Sequence, residues 1–191
     1  MIIGLCGTIA AGKGAILDHL KSKGFKSLTF SDEIKGEARM QGVEINRENL
    51  QRLGTEMRTN YGGGILAKKL LEKVNEGENA VVDGVRNVAE IEELRKRKDF
   101  FLISIDAPQK LRFSRIVERK KDNDPQTWEE FVKRDDVDNG VGGDEKGQQN
   151  FKCMGLADFS IYNDSDLGTL SERISEIMED IQSLNEKVSS D

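Results

Sequence analysis

A glycine-rich segment close to the beginning of the sequence constrains the fold more than any other feature. It reads G-T-I-A-A-G-K-G over residues 7–14, and an apolar run at residues 2–6 precedes it. A helical pattern follows from about residue 12 to residue 23. The spacing G-x-x-x-x-G-K between a strand and a helix is that of a phosphate-binding loop, the Walker A motif. The segment therefore predicts a strand, a phosphate-binding loop and a helix, in that order.

The residue types in this loop suit a nucleoside triphosphate. Glycines allow several backbone N–H groups to point inward at phosphate oxygens, and the helix start adds unsatisfied N–H groups and the positive end of its dipole. Lys13 supplies a positive charge near the β- and γ-phosphates and is also predicted to be catalytic. We expect ATP as co-substrate, with GTP as an alternative donor, and Mg²⁺ as cofactor. The residues predicted to hold the nucleotide are Gly7, Thr8, Ala10, Ala11, Gly12, Lys13, Gly14 and Ala15.

The loop departs from the usual pattern in one respect. A serine or threonine commonly follows the lysine and helps to hold Mg²⁺, whereas this chain has Gly14 and then Ala15. Mg²⁺ would then depend on water, the nucleotide and a carboxylate elsewhere in the chain.

A second group of residues offers that carboxylate. The apolar strand pattern Ala80–Asp83 ends in an acid and is followed by Gly84 and Arg86. An acid at the carboxyl end of a parallel strand lies beside the phosphate loop, so Asp83 is predicted to bind Mg²⁺ through water. Arg86 is predicted to pair with an acceptor phosphate in the bidentate manner of arginine. The alternative is an ordinary turn between a strand and a helix.

Strand and helix patterns alternate along the rest of the chain. They predict a three-layer α/β fold of the P-loop NTPase type, with a mostly parallel five-stranded sheet and helices on both faces, in a single domain over residues 1–191. Strands are expected at residues 2–6, 27–30, 80–83, 100–106 and 159–163, and helices at 12–23, 32–41, 47–61, 65–76, 88–98, from about 108, and at the end of the chain.

Three segments are expected to lie outside this alternating core. Residues 32–76 form an acceptor-binding helical insert. Residues 118–147 are rich in charge and glycine and are expected to be exposed and mobile, with a lid at about 119–147. Residues 185–191 are expected to form a frayed tail.

The chain resembles the P-loop nucleoside monophosphate kinases over most of its length. The G-K-G form of its loop is similar to that of adenylate kinases, although Ala15 stands where they usually have threonine. The segment D-G-V-R at residues 83–86 resembles their D-G-x-P-R but is one residue shorter and lacks the proline. Adenylate-kinase-related proteins of uncertain substrate share L-x-x-L-G-x-E-x-R-x-x-Y-G, here residues 50–62, and A-D-x-x-I-x-N-D, here 157–164. The latter pattern is also similar to the end of dephospho-coenzyme A kinases.

This resemblance implies transfer of the γ-phosphate of ATP to a small nucleotide, most simply a (deoxy)nucleoside monophosphate, or alternatively to dephospho-coenzyme A. For a hydroxyl acceptor, Asp32 is the candidate general base; for a phosphate acceptor, Asp32 would position the substrate. A helix N-cap role for Asp32 is the competing interpretation. Arg58 either clamps the acceptor phosphate or forms a surface salt bridge.

A basic island at residues 110–121 interrupts this acidic sequence. Arg112, Arg115 and Arg119 recur on one helical face, which on a generic helix would be solvated. The resemblance implies instead that Arg115 and Arg119 are catalytic and that Arg134 in the lid binds substrate, neutralising the transferring phosphoryl group.

Composition excludes several other functions. A net charge of −6 and a pI near 5.1 do not suit nucleic-acid binding, and no apolar run approaches the length needed to cross a membrane. Two cysteines and no secretory signal pattern favour a cytoplasmic protein. The heptad-like apolar pattern over residues 170–188 favours packing on the sheet over a dimer seam, which is compatible with a monomer or a weak homodimer. A nucleotide-binding switch or a non-catalytic regulator is the alternative from another class.

Overall fold

A parallel five-stranded sheet forms the centre of the protein. The computed structural model describes residues 1–120, 124–142 and 147–189. In these residues the strand order is β2-β3-β1-β4-β5, and each neighbouring pair is parallel. The strands are β1 (Ile2–Gly7), β2 (Lys26–Thr29), β3 (Ala80–Asp83), β4 (Phe100–Asp106) and β5 (Phe159–Tyr162). This arrangement confirms the predicted fold class.

Helices cover both faces of the sheet. They are α1 (Lys13–Ser22), α2 (Phe30–Gln41), α3 (Arg47–Tyr61), α4 (Ile65–Leu71), α5 (Val88–Leu94), α6 (Gln109–Arg119), α7 (Trp128–Asn139), α8 (Asn150–Gly155) and α9 (Leu167–Ser189). Strand β1 is buried along its whole length, and its side chains alternate between two cores. Ile2 and Cys6 pack with residues of α2, α3, α4, α5 and α8, whereas Ile3 and Leu5 pack with residues of α1 and α9.

The closing helix packs on the sheet, as the sequence pattern favoured. Leu170, Ile174 and Ile181 are buried in the same core as Ile3 and Leu5. The expected frayed tail is wrong for residues 185–189, because α9 continues to Ser189. Residues 190 and 191 lie outside the described residues.

Helix α7 corrects the expectation that residues 118–147 are exposed. It begins with a capping box between Thr127 and Glu130 and buries Phe131 completely. The rings of Phe113, Trp128 and Phe131 lie 5.4–5.5 Å apart, which anchors α7 to α6. Residues 121–123 and 143–146 of the predicted lid lie outside the described residues.

Two predicted helices end earlier than expected. The helix expected at residues 65–76 ends at Leu71, and the one expected at 88–98 ends at Leu94. Among the helices that the structure describes, none has the length and apolar character required to cross a bilayer.

Candidate active site

The glycine-rich loop connects the end of β1 to the start of α1 at the carboxyl edge of the sheet. Gly7 has φ 139°, and a Cβ there would lie 2.0 Å from the carbonyl oxygen of Ile105. Gly12 has φ 120°, and a Cβ there would lie 2.5 Å from Nδ2 of Asn163. Both positions therefore require glycine, because any side chain would be strained and would meet a neighbour. Ala10 also has a positive φ of 59°, so the backbone turns sharply throughout the loop.

The side chain of Lys13, the first residue of α1, points back into the loop. Its Nζ donates to the carbonyl oxygens of Gly7 at 2.6 Å and of Thr8 at 2.8 Å. The pKa of Lys13 is lowered to about 8, chiefly by burial and next by the nearby charge of Arg86, while Asp83 opposes the shift. A site that destabilises a lysine cation in this way gains from binding an anion, since the anion restores the missing counter-charge.

The absence of a hydroxyl after Lys13 is not a result of crowding. Gly14 is exposed, and a Cβ built on it would have no atom within 4 Å. Its φ lies outside the left-handed region. A serine or threonine would therefore fit at this position.

Side chains distant in sequence hold the loop from behind. Thr8 Oγ1 donates to Asp106 Oδ1 at 2.6 Å, and Asp106 ends the neighbouring strand β4. The backbone N–H of Gly7 donates to Asn150 Oδ1 at 3.1 Å, at the start of α8. Asn163 Nδ2 donates to the carbonyl oxygen of Ala11 at 2.6 Å. Sequence reasoning assigned no role to Asp106 or Asn150, because no local pattern marks a contact across 98 or 143 residues.

The arginines of α6 have different environments. Arg112 is buried, forms a bidentate ion pair with Asp135 at 2.5 and 2.7 Å and donates to the carbonyl oxygen of Ile9 at 3.2 Å. It therefore joins the loop to α7. Arg115 lies against the loop, where it donates to the carbonyl oxygens of Ala11 and Asn163, each at 3.2 Å.

Arg119 and Arg134 meet at Asp124 rather than at the loop. Arg119 binds both carboxylate oxygens of Asp124, at 2.5 and 2.7 Å. Arg134 Nη1 lies 4.0 Å from the same carboxylate. The structure thus places Arg115 beside the phosphate loop and places Arg119 and Arg134 together at Asp124.

A cleft of about 740 Å³ opens at the carboxyl end of β3, where Asp83 and Arg86 line it. We call it the arginine-lined cleft. Helices α2 and α3 form one wall, α7 and the residues after it form another, and the turn after β3 forms the floor. The lining residues include the apolar Phe30, Ile34, Ile45, Leu50, Val137 and Val141 and the charged Arg47, Arg58, Asp83, Arg86 and Arg134. The structure therefore brings together four of the sequence-predicted residues, and it adds Arg47.

Asp83 has the surroundings expected of a ligand to a hydrated cation. It pairs in register with Leu5 of β1, directly before the loop. Its Oδ1 is buried and has no hydrogen-bond partner among the described residues. A carboxylate oxygen is the kind of ligand that Mg²⁺ and its bound waters prefer, so this residue fits the metal that the loop implies.

The surroundings of Asp32 do not match a general base in the cleft, and those of Arg58 do not match a surface salt bridge. Asp32 is exposed, does not line the cleft and lies 3.1 Å from Lys35; hydrogen bonding to Thr29 and the charge of Lys35 lower its pKa. Arg58 lines the cleft but donates twice to Glu90, at 2.7 and 3.1 Å. That ion pair is buried, with Glu90 fully inaccessible, so it is not a surface salt bridge.

A further network crosses one end of the cleft. Arg47 Nη2 donates to Asp138 Oδ1 at 2.9 Å. With its amide oriented to satisfy both neighbours, Gln148 donates to the same oxygen at 2.7 Å and accepts from Arg86 Nη1 at 3.2 Å. Sequence reasoning missed Arg47, Asp138 and Gln148, which only the packing of α7 against α3 brings together.

Comparison with known proteins identifies the family. Residues 3–138 match the family model described as "AAA domain". A "UPF0200 protein" of Sulfurisphaera tokodaii is 32% identical over 182 residues, which cover 94% of this chain and 97% of that protein. The chain is an AAA domain protein of the UPF0200 family. Another UPF0200 protein, from Thermococcus onnurineus, is 28% identical over 190 residues and covers 95% of this chain and 98% of its own.

Among the solved structures with the same fold are a shikimate kinase and a dephospho-CoA kinase. The shikimate kinase of Bacteroides thetaiotaomicron has a TM-score of 0.58 at 15% identity and covers 94% of this chain and 98% of its own. The dephospho-CoA kinase of Campylobacter jejuni has a TM-score of 0.50 at 18% identity, with 94% and 96% coverage. At such identities the similarity shows the fold alone, which in this UPF0200 chain is that of the P-loop kinases.

Proposed function

We propose that this protein is a nucleotide kinase that transfers the γ-phosphate of ATP to a small nucleotide acceptor, a (deoxy)nucleoside monophosphate. One observation carries the proposal: the turn after β3 belongs to both halves of the site. Asp83 and Arg86 line the arginine-lined cleft, and their charges also act on Lys13 of the phosphate loop. A donor on the loop and an acceptor in the cleft would therefore be neighbours, as direct transfer requires.

The roles of the charged residues follow from their positions. Lys13 and the backbone N–H groups of the loop hold the β- and γ-phosphates, and Arg86 orients the acceptor phosphate. Arg115, at the loop, and Arg119 and Arg134, at Asp124, neutralise charge that develops on the transferring phosphoryl group. Asp83 would hold Mg²⁺ through water, and that ion would supply further neutralisation of phosphate charge. Segment 119–147 acts as the lid that keeps water from the reaction.

A phosphate acceptor fits the cleft better than a hydroxyl acceptor. A hydroxyl must lose a proton on attack and therefore needs a base nearby, whereas a phosphate is already ionised. Asp32, the candidate base, is exposed and outside the cleft. Among the described residues that line the cleft, Asp83 is the only acid, and the proposed role at Mg²⁺ occupies it. Dephospho-coenzyme A is for this reason the second choice of acceptor.

A non-catalytic nucleotide-binding regulator is the alternative from another class. The observation in its favour is that neither Gly14 nor Ala15 can offer a hydroxyl to Mg²⁺. Such a protein would bind nucleotide on the same loop without acceptor-dependent turnover.

The test is a product analysis with a panel of acceptors. The protein is incubated with ATP, Mg²⁺ and either individual nucleoside monophosphates or dephospho-coenzyme A, and products are identified by mass spectrometry. We expect ADP and one or more nucleoside diphosphates, and no such products from Lys13→Ala. Lys21→Ala, an exposed lysine on the same helix, serves as the control. Slow ADP formation at the same rate with and without each acceptor would indicate a nucleotide-binding switch. No ADP formation at all would indicate a non-catalytic regulator.

A further inference from the structure

Most of the arginines that line the cleft are neutralised by an acidic partner. Four arginines line it among the described residues, and three of them have an acidic partner nearby. Arg58 is paired with the inaccessible Glu90, Arg47 with Asp138, and Arg134 lies 4.0 Å from Asp124. Arg86 Nη1 instead donates to the neutral amide oxygen of its cleft neighbour Gln148.

Asp138 differs from the other two acids because it acts on both sides of the cleft. Its carboxylate is 8% exposed and accepts from Arg47, which begins α3, and from Gln148, which in turn holds Arg86 on the floor. Its charge also opposes the lowering of the pKa of Lys13 and of Arg134, so it is close enough to act across the site. Arg47, by contrast, is 40% exposed and faces the space where an acceptor would lie.

We propose that Asp138 is a specificity-determining residue that neutralises Arg47 and positions Arg86, so that the cleft presents one dominant cationic group to an acceptor carrying a single phosphate. The inference rests on the proposed function in taking this cleft as the acceptor site. Without the carboxylate, Arg47 would join Arg86 in attracting anions. With it, an acceptor phosphate is bound chiefly through Arg86, whose charge also acts on Lys13.

The physical basis is the balance between two nearby charges. An ion pair at about 3 Å in a partly buried site cancels most of the field that each member exerts beyond the pair. Asp138→Asn removes this cancellation but keeps an oxygen that accepts from Gln148 and Arg47. Because Arg47 is partly exposed, water can solvate its released charge, and the variant is expected to fold.

The experiment is calorimetric titration of inorganic phosphate into the intact protein at low ionic strength. We expect Asp138→Asn to bind phosphate about three- to tenfold more tightly than the wild type, an order-of-magnitude figure for one unmasked charge. Asp136→Asn changes the net charge equally, but at an exposed position on the same helix, and is expected to stay within about twofold. In Arg47→Gln/Asp138→Asn the gain should disappear, which places the effect at Arg47 and not at the phosphate loop.

A second measurement does not depend on the Asp138 variant. In the wild-type background, Arg86→Gln should weaken phosphate binding about tenfold, whereas Arg47→Gln leaves the Asp138 carboxylate without its counter-charge and should weaken it about three- to tenfold. An Arg86→Gln or Arg47→Gln variant that binds phosphate as tightly as the wild type would overturn the proposal, as would an Asp138→Asn that behaves like Asp136→Asn or keeps its gain without Arg47. If no acceptor is phosphorylated, the proposed function is wrong, but the phosphate titrations still test the role of Asp138. If an acceptor is phosphorylated and the titrations give the contrary results above, only the inference about Asp138 is wrong.

Discussion

Asn163 Nδ2 donates to the carbonyl oxygen of Ala11 at 2.6 Å, across 152 residues of sequence, and closes the back of the phosphate loop. The same nitrogen lies 2.5 Å from the position that a Cβ on Gly12 would take. We expect Asn163→Ala to lower ATP affinity about tenfold and to destabilise the protein by about 1–3 kcal/mol, because a buried carbonyl loses a partner. Calorimetric titration and thermal unfolding measure the two effects. Asp164→Ala, at the exposed neighbouring position, should leave ATP affinity unchanged; an equal effect there would contradict a specific role for Asn163.

The lowered pKa of Lys13 predicts that ATP binding takes up protons near pH 8. In the free protein the lysine pKa is about 8, so the cation is lost as the pH rises through that value. Bound phosphates favour the charged form and raise this pKa, so affinity should be highest below pH 8 and should decrease above it. Titrations at pH 8 in buffers of different ionisation enthalpy measure the uptake. Arg86→Gln removes a neighbouring positive charge and should move the decrease to higher pH; an unchanged profile would assign the uptake to another group.

Asp83 should carry an unusual share of Mg²⁺ positioning, because Gly14 and Ala15 supply no hydroxyl. We expect Asp83→Asn to raise the Mg²⁺ concentration for half-maximal rate about tenfold or more and to lower the maximal rate. Steady-state rates across a Mg²⁺ series give both quantities. Asp18→Asn, an exposed change on α1, is the control. The same Mg²⁺ dependence in Asp83→Asn and wild type would point to another carboxylate.

Restoring the hydroxyl should have the opposite effect. Gly14 has open space around it and an ordinary φ, so Gly14→Ser should fold and should lower the Mg²⁺ concentration for half-maximal rate several-fold. Serine also improves helix propensity over glycine by about 0.5 kcal/mol. Gly14→Ala gives a comparable gain in propensity without the hydroxyl. If the alanine variant changes the Mg²⁺ dependence as much as the serine variant, the hydroxyl is not responsible.

Arg119 should matter for the rate of transfer more than for ATP binding. It is held by Asp124 and not by the loop, so it would act on the phosphoryl group only after bound nucleotide draws it out of that pair. We expect Arg119→Ala to reduce the rate by about 10²- to 10³-fold, equivalent to about 2–4 kcal/mol, with little change in ATP affinity. Rapid-quench rates and equilibrium titrations separate the two. Arg52→Ala, which removes an exposed arginine ion-paired on α3, should have no effect on either.

The sheet and the loop were predictable from sequence because their signals are local. Strands β3 and β4 and helix α3 have the predicted bounds, and each is marked by an apolar run or a helical repeat. Helix α7 was missed because its buried face is mostly polar: Asp135, Asp138 and Asn139 are buried beside Phe131, so no apolar period appears. The capping box between Thr127 and Glu130 was the one local signal for its beginning.

The acceptor side was less predictable because the role of each arginine there depends on its ion-pair partner, which lies far away in the sequence. Arg58 could be recognised as a candidate, but its partner Glu90 lies 32 residues away on another helix. Arg47 and Asp138 are 91 residues apart, and each alone resembles an ordinary surface charge in the sequence. Which arginines are neutralised depends on how the helices pack, and that information is absent from spacing.

The central position of β1 has a consequence for synthesis on the ribosome. This strand is completed first, yet its neighbours β3 and β4 begin at residues 80 and 100. At about 5–20 residues per second, the interval before β4 is available is roughly 5–20 s. Until β3 follows at residue 80, the apolar residues Ile2, Ile3 and Leu5 have no strand to pair with, and long-range parallel pairing is intrinsically slow. The nascent chain should therefore depend on protection of the segment that contains β1, and the phosphate loop cannot take its native shape before β4 has joined that strand.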